Sequence, residues 1–273
     1  MTPPTATYEM ELSQAVEGMI HTYHTESDIL GASKIDTYRD CPKSYELQYV
    51  AKIEVPKSPA MLVGSCVHEV LRKAHAERWT PDDAAEAGQL LRDLWVRVAP
   101  HTRRNGRGEA ISRVETLATR GLPWYLRWQE GQISIATEER WRQTVPGTDI
   151  ELQGTWDRLY RHQGLTVVSD CKSGKHLPRD MDSDLQLTLY SWAYRQMFGK
   201  PEDAMEIVGV GLRKAVRTVR DDLFNQQVIE SVVLPVAAAI ARGDFPPNTN
   251  NRYGCNYCDF KDACPAGQSR RAA

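Results

Sequence analysis

The spacing of apolar residues turns from helical to alternating near residue 130, and that change sets the fold class. Before about residue 130 the spacing is helical. "GSCVHEVLRKAHAERW" (64–79) puts Val67, Val70, Leu71 and Ala74 on one stripe. Pro81 and Asp82 open a further helix, "DAAEAGQLLRDLWVRVA". "VETLATRGLPWYLRWQ" predicts a helix with a break at Gly121 to Pro123. From 131 the pattern alternates. "ISIATEERWRQTV", "DIELQGTWDRLYR" and "LTVVSDCKSG" read as three strands joined by turns at "PGT" and "HQG". "SDLQLTLYSWAYRQMFG" predicts an amphipathic helix ending near Gly199, and "AMEIVGVGLRKAVRTVR" returns as one or two strands. "FNQQVIESVVLPVAAAIARG" predicts a last helix, irregular at Pro235. Helices, a three-strand meander, a helix, a strand and a helix make an α/β core with an appended helical region.

The flanking regions are plainer. Residues 1–30 read as a partly ordered leader and 266–273 as a flexible tail. "SKIDTYRD" suggests a short helix with Ser33 and Asp36 as a capping-box-like start, and Pro42 suits the first position of the next helix. "HTRRNGRGEA" (101–110) reads as a polar, basic loop. The net charge is −2, so a nucleic-acid partner is not announced globally and any basic surface must be local. No stretch reads as long enough to span a bilayer, and the N-terminus lacks the basic and apolar regions of a secretory signal. A cytoplasmic setting is therefore expected, where the six cysteines read as metal ligands or thiols before disulfides.

The strands carry the chemistry. Asp157 lies in one, and Asp170 and Lys172 lie two apart in the next, on one face. Two carboxylates beside an amine suit metal-assisted phosphodiester hydrolysis: the acids hold a hard cation, and the lysine orients water and offsets phosphate charge. Taken alone, the pair also fits an ordinary surface ion pair. His68, early on its helix, fits either a half-buried helix histidine or an imidazole ligand that shifts preference from Mg²⁺ toward Mn²⁺. Gln186 and Tyr190 share a helix face, either as a polar flank or as contacts to a phosphate or to Lys172. Glu139 in "ATEERW" is a further acid that could approach this face. Near the C-terminus, Cys255, Cys258 and Cys264 form a C-x₂-C-x₅-C triplet, one ligand short of a closed thiolate site. Cys66 and Cys171 read as small buried residues.

In order, "GSCVHE", "GTWDRL", "VVSDCKSGK" and "QLTLY" resemble the RecB-like branch of the PD-(D/E)XK nuclease superfamily, including its CRISPR-associated and phage iron–sulfur exonucleases. "SKIDTYRDCPKSYELQYV" resembles that branch's N-terminal cysteine motif, and "CNYCDFKDACP" its C-terminal triplet. "DCKSG" departs mildly from the "DYKTG" often found there. The resemblance implies a restriction-endonuclease-like core, a mixed central sheet flanked by helices, with a helical insertion. It implies one nuclease domain over 31–265, with a helical region at 64–130, the catalytic sheet and helix at 131–220, and the last helix and cysteines at 221–265. His68, Asp157, Asp170 and the backbone carbonyl of Cys171 would hold Mn²⁺ or Mg²⁺, Lys172 would position the attacking water, and Gln186 and Tyr190 would shape the pocket. Cys41, at a helix junction before Pro42, would join Cys255, Cys258 and Cys264 around a [4Fe–4S] cluster. Structural Zn²⁺ stays open on spacing alone. Cys41 and Cys264 are 223 positions apart, and closing so long a loop restrains the unfolded chain by about 4 kcal/mol or more.

The implied activity is a metal-dependent DNA exonuclease preferring single strands, in recombination, repair or CRISPR adaptation, with a helicase, recombinase or integrase as a potential partner. The alternative is a non-catalytic module that binds DNA or a partner on the same scaffold. Arg103, Arg104 and Arg107, then Arg213, Lys214, Arg217 and Arg220, are candidate phosphate contacts or simply solvated cations. Tyr45, Tyr49, Trp124, Tyr125 and Trp128 are candidates for base stacking or for core packing.

Overall fold

A six-stranded mixed sheet organises the chain in this computed structural model, which describes residues 6–20, 29–178, 181, 184–250 and 254–269. Its strands are β1 (Ile29–Leu30), β2 (Ile133–Thr144), β3 (Glu151–His162), β4 (Leu165–Lys172), β5 (Ala204–Gly209) and β6 (Lys214–Thr218). The predicted meander is present: β2 pairs antiparallel with β3, and β3 with β4. β5 lies parallel to β4, and β6 returns antiparallel to β5. Parallel neighbours need a long crossover, which the helix Leu185–Phe198 supplies between β4 and β5.

The helices are α1 (Ala6–Ile20), α2 (Ala32–Asp40), α3 (Pro42–Tyr45), α4 (Pro59–Ala76), α5 (Ala84–Val98), α6 (Arg107–Thr116), α7 (Leu122–Trp128), α8 (Leu185–Phe198), α9 (Asp222–Val228), α10 (Leu234–Ala241) and α11 (Pro265–Ser269). α4 to α7 cover one face of the sheet, packing Val67, Leu91 and Leu122 with Cys171 and Val208. α8 and the α9–α10 helix cover the other, packing Trp192, Ile229 and Val233 with Trp156, Val168 and Ile207. β5 is buried along its whole length because both faces are covered.

Several expectations change. Residues 6–20 of the expected leader form α1, which buries Leu12 and Met19 in the helical core; residues 1–5 and 21–28 lie outside the described residues. The expected tail begins as α11, and residues 270–273 lie outside the described residues. α2 is capped by Gly31 rather than Ser33, which lies inside the helix. The basic loop is shorter than 101–110, since Arg107 already opens α6. The break at Gly121 to Pro123 is a π turn, Leu117–Gly121, inside a continuous helix, and a second π turn, Ile229–Val233, precedes Pro235. A wide turn accommodates a proline ring that would otherwise crowd the preceding carbonyls. Finally, Asp222–Ala241 has the length and apolarity of a bilayer-spanning helix, with mean hydropathy 1.4. Here its Ile229, Val233 and Val236 pack on the α8 side of the sheet.

Candidate active site

β3 and β4 pair as far as Arg158 with Ser169, so Asp157 and Asp170 stand opposite one another one step beyond. On the other side of β3, Thr137 pairs with Arg158 and Glu139 with Trp156, leaving Glu138 across from Asp157. Three carboxylates therefore line up across three strands. Glu138 has φ of 48°, in the left-handed region that non-glycine residues rarely occupy, and β2 shifts register by one residue between Ser134 and Ala136. Glu139, the acid noticed in the sequence, pairs with Trp156 and is exposed.

α4 brings His68 over this row. Ser58 accepts from the Met61 amide at 3.2 Å and caps a helix whose buried stripe, Val67, Val70, Leu71 and Ala74, follows the sequence pattern. His68 Nδ1 lies 3.2 Å from Glu138 Oε1 and 3.7 Å from Asp157 Oδ1. Donor atoms of His68, Glu138 and Asp157 all fall within 4.8 Å of one another. The amide of Cys171 donates to Asp157 Oδ2 at 2.6 Å and fixes that carboxylate. Beside it, Lys172 Nζ lies 2.8 Å from Asp170 Oδ2 and donates to Gln186 Oε1 at 2.8 Å. Gln186 Nε2 donates in turn to the Tyr190 hydroxyl at 2.8 Å. The i, i+4 pair on α8 thus orients the lysine.

Electrostatics follow from burial and crowding. Burial disfavours a charged His68, but Asp157 and Glu138 outweigh it and hold the imidazolium up to about 9. Burial raises the Asp157 carboxyl, with Glu138 adding to the rise and His68 opposing it. Burial, then the Asp157 charge, lifts Asp170 well above the ordinary carboxyl range. Lys172 stays charged because Asp170 outweighs its burial. An imidazole and carboxylates in this arrangement suit a divalent cation. The donor set itself carries that fit: one imidazole and the carboxylates of Glu138 and Asp157 offer ligand atoms within 4.8 Å of one another, and the buried Asp170 carboxylate stands across from Asp157. Glu138 is not among the acids singled out from the sequence, because the pairing of β2 with β3, which sets it across from Asp157, is not readable from either strand alone.

The remaining candidates fall into place differently. The Cys171 thiol points into the α4–α7 core, 4.0 Å from the Tyr125 hydroxyl, and burial pushes its pKa well up. Cys66 is buried 3.9 Å from Met19 Sδ, and burial lifts its thiol to about 12. Arg103 pairs with Asp259 at 2.5 Å, and Arg107 donates to Thr102 and to loop carbonyls. Arg217 pairs with buried Glu206 at 2.7 Å, and buried Arg220 donates to Met181 and Asp184 carbonyls. Arg104, Arg213 and Lys214 are exposed. Tyr45 and Tyr125 are wholly buried core residues, while Tyr49, Trp124 and Trp128 are half-buried.

All six cysteines are free thiols. Cys41 caps both α2 and α3, as its place before Pro42 suggests, and its sulfur accepts from the Asn248 amide at 3.3 Å. Ser44 Oγ lies 3.7 Å from Cys258 Sγ, and Cys255 and Cys264 are buried. The α2–α3 junction and the C-terminal triplet therefore touch, across more than 200 residues.

No curated protein sequence matches the chain. A solved structure described as "Crystal structure of SSO0001" is similar at 15% identity and a TM-score of 0.42, covering 96% of this chain and 98% of its own. A family model of the PD-(D/E)XK nuclease superfamily matches residues 30–265, most of the chain, and the chain belongs to that superfamily.

Proposed function

We propose that this chain is a divalent-metal-dependent deoxyribonuclease that degrades DNA from its ends, with a preference for single strands. The observation that supports this best is the convergence of His68, Glu138 and Asp157 beside Asp170 and Lys172. Mn²⁺ or Mg²⁺, when bound, supplies a Lewis acid for the phosphoryl group and a route to hydroxide at neutral pH. The donors proposed to hold it are His68, Glu138, Asp157 and Asp170, with the carbonyl of Cys171. Lys172 presents a fixed ammonium that orients the attacking water and counters charge building on the phosphate oxygens. Gln186 and Tyr190 limit the freedom of that ammonium, so less ordering is required at the moment of reaction. The preference for ends and single strands, and a role in recombination, repair or CRISPR-type adaptation, rest on the motif resemblance. The test is nucleotide release from end-labelled linear single strands with Mn²⁺, set against circular single strands and duplex. Equal cleavage of circles overturns the exonuclease reading, and no Mn²⁺-dependent release from any substrate overturns the nuclease reading.

We also propose that Cys41, Cys255, Cys258 and Cys264 hold a [4Fe–4S] cluster that clasps the chain's two ends. The contacts Ser44–Cys258 and Asn248–Cys41 support it. Oxygen-free purification tests it: iron and sulfide with a brown chromophore are expected, and one zinc per colourless chain overturns it.

A further inference from the structure

A groove of about 1070 Å³ runs from the N-terminus of α2 along β2 and β3 to Gln186 and Tyr190. Those two residues also orient Lys172, so the groove opens onto the candidate active site. Its lining holds three cations, Lys34, Arg140 and Arg142, and no carboxylate. Arg142 is tied to Glu151, and buried Lys34 donates to the Ile29 carbonyl at 2.8 Å. Arg140 is exposed and has no carboxylate at ion-pair distance among the described residues.

Two further features mark this groove as a place for an anion. Helix α2 begins at Gly31 with no side-chain cap. A Cβ at Gly31 would lie 2.8 Å from the Gln153 carbonyl oxygen, so the close approach of β3 excludes the serine or aspartate that would normally satisfy the first helical amides. Those amides carry the positive end of the helix dipole and face the groove's head. Independently, Trp141 is 3% exposed, and its indole N–H finds no acceptor among the described residues. The indole lies across Gly154, where any Cβ would stand 2.4 Å from its ring. A buried donor is rarely left unmatched without a reason.

Resting on the nuclease reading above, we propose that this groove is the track for a single DNA strand. The α2 amides and Arg140 bind backbone phosphates next to the one cleaved. The Trp141 indole N–H, which has almost no surface open to solvent in the free protein, is uncovered and bound as the strand seats, and the half-buried Tyr49 ring flanks a base. The basic residues singled out from the sequence at 103–107 and 213–217 lie outside this lining.

The test is binding of a fluorescent single-stranded oligodeoxynucleotide to the full chain in EDTA, across a salt series. EDTA removes metal and cleavage from the readout. Arg140→Ala is expected to weaken binding about tenfold and to lower the slope of log affinity against log salt by about 0.7, one single-strand phosphate contact. Trp141→Phe keeps an aromatic ring but removes the N–H together with its five-membered ring; a several-fold weakening is expected at a temperature where circular dichroism shows the variant folded. In a ¹⁵N spectrum of the native chain, one indole N–H signal, absent in Trp141→Phe, should shift on DNA addition. Native affinity and salt slope in both variants, with cleavage intact, overturn the groove and leave the nuclease reading standing. A native chain that binds the oligonucleotide but never cleaves it with Mn²⁺ overturns the nuclease reading, while loss of affinity in both variants still supports the groove.

Discussion

Glu138 faces His68 across 3.2 Å from a strand position that carries positive φ. A glutamate adopts that backbone at a cost of about 1–3 kcal/mol, and the same strand position sets its carboxylate beside the imidazole, with an Asp157 oxygen on the same ring nitrogen at 3.7 Å. Glu138→Gln keeps the shape and removes the charge. It should weaken Mn²⁺ binding about tenfold or more by calorimetry, while Glu139→Gln should stay within about twofold. Equal effects of the two substitutions would remove Glu138 from the site.

Asp170→Asn and Lys172→Ala should each lower cleavage by about a hundredfold or more, with native circular dichroism. Gln186→Ala should give a smaller loss, since it acts on the lysine and not on the phosphate. Native rates in Asp170→Asn would end the assignment.

The pH dependence of metal binding has a defined sign. His68 has a folded pKa raised from 6.5 to about 9 by its two acid neighbours. Below about 9 the imidazolium must lose its proton before it can ligate, so Mn²⁺ affinity should rise with pH up to about 9 and binding should release protons. In the metal-free protein the same shift contributes stability that is full below 6.5 and is lost as pH climbs through about 9. Titration calorimetry in two buffers of different ionisation enthalpy measures the protons; none released at pH 7 would contradict the arrangement.

Cys258→Ser and Cys41→Ser should lower thermal stability in anaerobically prepared protein, through loss of a link worth about 4 kcal/mol or more in the unfolded chain. Cys66→Ser should retain iron and colour, because that thiol is buried beside Met19, on the α4 side of the molecule. Iron content per chain checks both.

Gly31→Ala places a Cβ against the Gln153 carbonyl, a backbone atom that cannot swing away. It should destabilise the fold by about 1–3 kcal/mol in urea titration, although alanine is normally the better helix former.

The sequence alone determined most of the elements and the placement of several candidate site residues. Alternation over 131–172 yielded β2, β3 and β4; the spacing around Val67 and Val70 yielded α4; and Asp-x-Lys on one strand placed Asp170 beside Lys172. These are local periodicities, set by the two-residue repeat of a strand and the 3.6-residue repeat of a helix. Tertiary structure decided what depends on distant segments. It chose Glu138 over Glu139, because the pairing of β2 with β3, which sets Glu138 across from Asp157, is an agreement between two strands and is written in neither. It consumed Arg107, Arg217 and Arg220 in internal contacts that span turns and strands. It also set Gly31 against Gln153 and Trp141 over Gly154, so that a helix start and an indole N–H share one groove. Such approaches between backbones arise only when the sheet is assembled, since no local pattern encodes which carbonyl will stand in the way.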